Sequence, residues 1–110
     1  MTSIFNYPMR EIDGYRVIDA GFCEVGHMAK AQVQIALKHR ATAATLVPYM
    51  GWDGIEPFLE AGLRVYVYPA NRHWLLPRWP RLWRSWQRMA RRRYGKGRLL
   101  AMPASREEGE

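Results

Sequence analysis

Only one cysteine, Cys23, stands in the 110 residues. That excludes an intrachain disulfide and any zinc site built on several cysteines, and it fits a reducing compartment, so a cytoplasmic address is the expectation. Long apolar runs are missing too. No window approaches the roughly 18 uncharged apolar residues of a spanning helix, and Met1 to Pro8 has neither the basic start nor the apolar run of a signal peptide. The chain is therefore expected neither to be exported by that route nor to sit within a bilayer. No glycine-rich phosphate loop is present, since Gly51 and Gly54 lack the residues that must follow. The deficit with the largest consequence is one of negative charge. Residues 63–106 hold twelve Lys or Arg and no Asp or Glu, whereas residues 1–62 hold five against seven. Glu107, Glu108 and Glu110 then form an acidic tip. The net charge of +7 thus belongs to the C-terminal half, which attracts polyanions while the other half stays near neutral.

A chain of this length holds one hydrophobic core. Residues 1–14, with Pro8, mixed charges and Gly14, read as a lead-in ending in a turn. Tyr15 to Phe22 is rich in β-branched and aromatic residues between two glycines, which suits a strand. From Gly26 to Arg40 helix formers dominate, with Val25, Met28, Ala29, Val33, Ile35, Ala36 and Leu37 on one arc and Lys30, Gln34 and Lys38 opposite. His39 and Arg40 fall in its last turn, where positive charge suits the helix dipole. Ala44 to Tyr49 reads as a second strand. Asp53 and Glu56 spell a capping box for a short helix with Ile55, Phe58 and Leu59 on its apolar side, ended by Gly62. Leu63 to Tyr68 then alternates, Leu63, Val65 and Val67 on one face and Arg64, Tyr66 and Tyr68 on the other.

Strand, helix, strand, helix, strand with short connections predicts an α/β fold in one small domain over 1–103, built on a mainly parallel three-stranded sheet in residues 15–68. An exposed edge at Leu63 to Tyr68 would make pairing with a second copy, a homo-oligomer, open to this chain. The stretch from Ile35 through Leu59, Glu60, Ala61, Gly62, Leu63, Arg64, Val65, Tyr66, Val67 and Tyr68 resembles the helix-and-strand repeat of a phospholipase-D-like half domain. That family's chemistry needs an H-x-K pair with an Asp further on. Here His73 is followed by Trp74 and Leu75, H-x-K occurs nowhere, and the resemblance carries over no residue.

Pro69, Pro77 and Pro80 mark residues 69–80 as an extended connector, after which a helix runs over 80–94 and Gly95 ends it. On a wheel, Leu82, Trp83, Trp86, Met89, Ala90 and Tyr94 cover about 140°, and Arg81, Arg84, Arg88, Arg91 and Arg92 fill the other side. Only Arg93 intrudes on the apolar arc. The tryptophans are expected to bury against the Tyr66 and Tyr68 face of the sheet. Leu99 to Met102 adds a last short strand, and residues 104–110 read as a disordered acidic tail.

The arginine side lacks the acids that a helix shaped by stability alone would carry near its N-terminus, and it sets Arg81 and Arg84 at the wrong end of the dipole. Such a face matches a phosphate backbone. The leading expectation is a nucleic-acid-binding module without strong sequence readout, its phosphate contacts made by Arg81, Arg84, Arg88, Arg91 and Arg92 and flanked by Arg78, Lys96 and Arg98. The same residues fit a module or inhibitor docking on an acidic protein surface. They also fit a membrane surface, with Trp and Leu entering the interface and Arg on anionic headgroups. An enzyme reading rests on Asp13, Asp19 and Glu24 near the first strand, with Asp53, Glu56 and Glu60 around the second helix; Asp19 to Glu24 would lie beyond the carboxyl end of the strand, where two or three carboxylates could hold Mg²⁺ for a nuclease. Capping already accounts for Asp53 and Glu56. Cys23 and His27 lack a second close ligand pair, so neither a metal nor any other cofactor is expected.

Overall fold

Asp13 and Gly14 both lie at positive φ, 55° and 83°, the geometry of a two-residue type I′ hairpin loop. They join β1 (Met9–Ile12) to β2 (Tyr15–Gly21), with Ile12 paired to Tyr15 across the turn. The lead-in therefore contains a strand. Aspartate followed by glycine between two alternating runs is the sequence signal for it. The computed structural model describes residues 9–21, 26–46, 51–68 and 79–102.

Beyond the hairpin come α1 (Gly26–Lys38), β3 (Ala43–Leu46), α2 (Trp52–Glu60), β4 (Arg64–Val67), α3 (Trp79–Tyr94) and β5 (Leu99–Ala101). The fold is a single small α/β domain, and its described strands form one five-stranded mixed sheet in the order β1-β2-β3-β4-β5. β1 is antiparallel to β2, and every later pair is parallel. The three strands expected in residues 15–68 are thus the middle of the sheet, and the last short strand expected at Leu99 to Met102 is β5. β4 lies between β3 and β5 and is not the free edge that pairing with a second copy through Leu63 to Tyr68 requires; β1 and β5 occupy the edges.

Each crossover steps one strand in the same direction, and crossovers of one hand then send every helix to the same face. Ala29, Val33 and Ala36 of α1, Ile55, Phe58 and Leu59 of α2, and Trp86 and Ala90 of α3 accordingly share one core with Ile18, Ala44, Leu46, Val65, Val67 and Leu99 of the sheet. The opposite face carries a smaller cluster of Val17, Ala43 and Tyr66. The expectation that the tryptophans pack on the Tyr66 and Tyr68 side is therefore wrong for Trp83 and Trp86. Both faces of β4 are apolar enough to be covered, and strand order with crossovers of one hand decides which one the helices take. Tyr66 needs a hydrogen-bond partner and finds it on the other side, donating to Asp13 at 2.9 Å. Burial first, and then that bond to Asp13, push its hydroxyl up to about 12. Arg64 lies on the same face, 4.3 Å above the Tyr15 ring and 5.4 Å from Tyr66.

Helix ends follow the sequence in part. Gly62 (φ 92°) and Gly95 (φ 107°) take the left-handed conformation that ends α2 and α3. α1 stops at Lys38, short of the Arg40 boundary, because Arg40 itself turns left-handed at φ 60° while Ala41 N–H donates back to the Ala36 carbonyl at 3.0 Å. A side chain is strained there, so Arg40→Gly is expected to stabilise the domain by about 0.5–1 kcal/mol. A higher urea midpoint at constant m would register this, and an unchanged or lower midpoint would contradict it. The expected capping box on α2 is absent: Gly51 occupies the N-cap without a side-chain bond, Asp53 sits in the first turn, and Glu56 is engaged elsewhere.

Candidate nucleic-acid interface

α3 divides along its length. Inward, Trp86 is 5% and Ala90 2% exposed, and Leu82, Trp83, Met89 and Tyr94 pack around them. Trp83 and Trp86 meet edge to face with ring centroids 6.5 Å apart. Outward, Arg81, Arg84, Arg88, Arg91 and Arg92 are all exposed. The two ion pairs found among the described residues, Arg10 with Asp19 and Arg93 with Glu56, involve none of these five. Arg91 and Arg92 complement the C-terminal end of the helix dipole. Arg81 and Arg84 gain nothing from it, as the first turn holds no acid.

Two basic residues of the same stretch have work inside the fold. Arg93 donates to Glu56 Oε2 at 2.7 Å while its side chain stays exposed, so its charge beside the apolar arc has both a partner and access to solvent. Arg98, expected to flank the patch, donates to the Leu59 and Leu63 carbonyls at 2.8 Å each and to the Tyr94 carbonyl at 3.4 Å, closing the C-terminal ends of α2 and α3. Lys96 is exposed in the turn after α3, and Arg78 lies outside the described residues. The structure thus brings five of the eight expected contact residues onto one helix face, with Lys96 beyond its end.

Glu56 is the position that the sequence reading missed. Its carboxylate accepts from Tyr94 Oη at 2.6 Å, Arg93 at 2.7 Å and Trp52 Nε1 at 3.0 Å. Trp52 lies four residues away at helical spacing, but Arg93 and Tyr94 become neighbours only when α3 docks. The Tyr94 hydrogen bond, then Arg93 and Trp52, hold the Glu56 carboxyl below the ordinary value of 4.5 against an opposing desolvation. A depressed carboxylate contributes stability that is complete above its unfolded value and is lost as pH falls through the folded one. Glu56→Gln should accordingly cost about 1–2 kcal/mol at neutral pH. The penalty should shrink once pH drops below about 4.5, as urea midpoints of both chains against pH would read out. A penalty that does not change with pH would refute the charged contact.

Of the carboxylates of the enzyme reading, Asp13 and Asp19 are engaged at different points of the fold. Asp13 sits in the hairpin turn and accepts from Tyr66, while Asp19, about 13 Å along β2 from its first residue Tyr15, accepts from Thr45 Oγ1 at 2.7 Å. Glu24 falls outside the described residues, as do Cys23 and His73. Among the described residues no group of three His, Cys, Asp or Glu side chains is placed to hold a metal ion, and no helix is long and apolar enough to cross a membrane. Compared with models of protein families, with curated proteins and with solved structures, the chain finds no match in any of the three.

Proposed function

We propose that the outward face of α3 is a docking surface for nucleic acid, bound through its phosphates without strong sequence readout. One observation carries this reading: five exposed guanidinium groups share a helix face and form no ion pair among the described residues, while beside them Arg93 is paired with Glu56 and Arg98 is bonded to carbonyls of the fold. Uncompensated positive charge on a single face costs self-repulsion, and neutralising phosphates with release of their counterions is the gain that offsets it. The reading is of a binding module and assigns no catalytic residue. It is favoured over a membrane surface because Trp86 is committed to the core, which leaves that part of the apolar arc unable to enter a lipid interface.

Fluorescence anisotropy with two labelled duplexes of unrelated sequence tests the proposal. Both should bind, with affinities that agree within about threefold, since phosphate contacts carry no sequence information. Retention of an acidic protein after exhaustive nuclease treatment, with no duplex binding, would favour the protein-partner reading instead. Flotation of the chain with anionic vesicles, again without duplex binding, would favour a lipid surface.

A further inference from the structure

Beside the arginine face, α3 and the edge strand β5 leave a partly open cleft of about 130 Å³ between them, its mainly polar wall made by Gln87, Arg91, Gly95, Gly97, Arg98 and Leu99. β5 is the last strand of the sheet, so its outward peptide groups meet no further strand. The Arg98 carbonyl accepts from Val65 N–H and Met102 N–H donates to the Val67 carbonyl, and alternation then turns the N–H and C=O of Leu99 outward. The contact that this carbonyl receives among the described residues is long, 3.5 Å from Gln87 Nε2. The cleft thus presents one backbone donor and one backbone acceptor beside a side-chain amide that is both.

Arg91 and Arg98 repel a cation from it, and the carbonyl end of α3, which closes at Gly95, opposes a bare anion. A neutral polar ligand is left. A cavity of about 150 Å³ admits benzene, so the volume suits one six-membered ring. Gly95 and Gly97 bring no side chain to the opening, and a Cβ on either would meet nothing within 4 Å. Resting on the reading of the arginine face as a phosphate site, we infer that this cleft receives a single unpaired nucleobase of the bound strand, entering by its six-membered ring. Arg91 belongs both to the arginine face and to the cleft wall, so a strand lying on the face passes the mouth. The Watson–Crick edge of the base meets the Gln87 amide and the Leu99 N–H and C=O. A paired base keeps that edge within its own helix and gains nothing from the cleft.

The test is anisotropy with duplexes of one sequence carrying either a bulged thymidine or an abasic site in its place, so that backbone and flexibility are shared. The thymidine bulge should bind about tenfold more tightly, the net gain of one or two buried hydrogen bonds. Gln87→Leu, which keeps the bulk of the side chain without its polar atoms, and Gly97→Asn, which adds a side chain tolerated at positive φ beside the opening, should each bring that ratio below about threefold. The same pair of bulges in RNA, with uridine, names the backbone by whichever ratio is larger. A ratio below about threefold for the parent chain in both backbones, or one that neither variant lowers, overturns the base cleft while the phosphate-binding face survives. Absence of binding by every one of these duplexes overturns both.

Discussion

Replacing Arg84, Arg88 and Arg91 together by Gln is expected to weaken duplex binding by about 10²-fold at 0.1 M salt and to leave the fold intact. Each phosphate neutralised contributes about 0.7 to 0.9 to the slope of log K against log salt, so losing three contacts flattens that slope by about 2 to 3. All three side chains are exposed and take part in neither ion pair found among the described residues, so the change in stability should stay within about 0.5 kcal/mol. Parallel salt titrations of anisotropy and urea unfolding curves check the two halves of this prediction. An unchanged slope would refute the assignment of the arginine face.

Trp86→Ala is expected to have the opposite profile. The side chain is 5% exposed, and a Cβ placed on Gly51 would lie only 3.6 Å from its Cζ2, so the ring is seated against the start of α2. Truncating it removes buried area and opens a cavity between α3, α2 and the sheet, at a cost of about 3–5 kcal/mol. Against a total stability of about 5–15 kcal/mol, and at about 4–8 °C per kcal/mol for a domain of this size, the melting temperature should fall by well over 10 °C. Trp86→Phe should cost less than half as much, since most of the ring volume is kept. Calorimetry of both variants decides the matter; an alanine variant that melts within a few degrees of the parent would show that α3 is not anchored through this residue.

The two substitutions separate what the sequence presents as one basic aromatic segment. The division of α3 into an apolar side and an arginine side was legible from spacing alone, because a period of 3.6 residues sorts Trp83, Trp86 and Ala90 away from Arg84, Arg88 and Arg91 without reference to the rest of the chain. The alternation of β4 and the left-handed glycines after α2 and α3 were legible for the same reason, each being local. What the sequence hid was pairing at a distance. Arg98 looks like any other cation of the C-terminal half until the Leu59 and Leu63 carbonyls stand 2.8 Å away. Glu56 reads as a capping residue until Tyr94 and Arg93 arrive from residues nearly forty positions further on. β1 was overlooked because only four residues form it, and their mixed charges obscure the alternation that the Asp13–Gly14 turn punctuates. Which face of the sheet receives the helices follows from strand order, a property that no stretch of β4 reveals by itself.

The claim that α3 is a phosphate-binding surface is tested most directly by the salt dependence of the parent chain on a single duplex between about 50 and 200 mM salt. With three to five phosphates engaged, log K should fall linearly against log salt with a slope of about −3 to −4.5. A slope near zero, with binding otherwise retained, would contradict it.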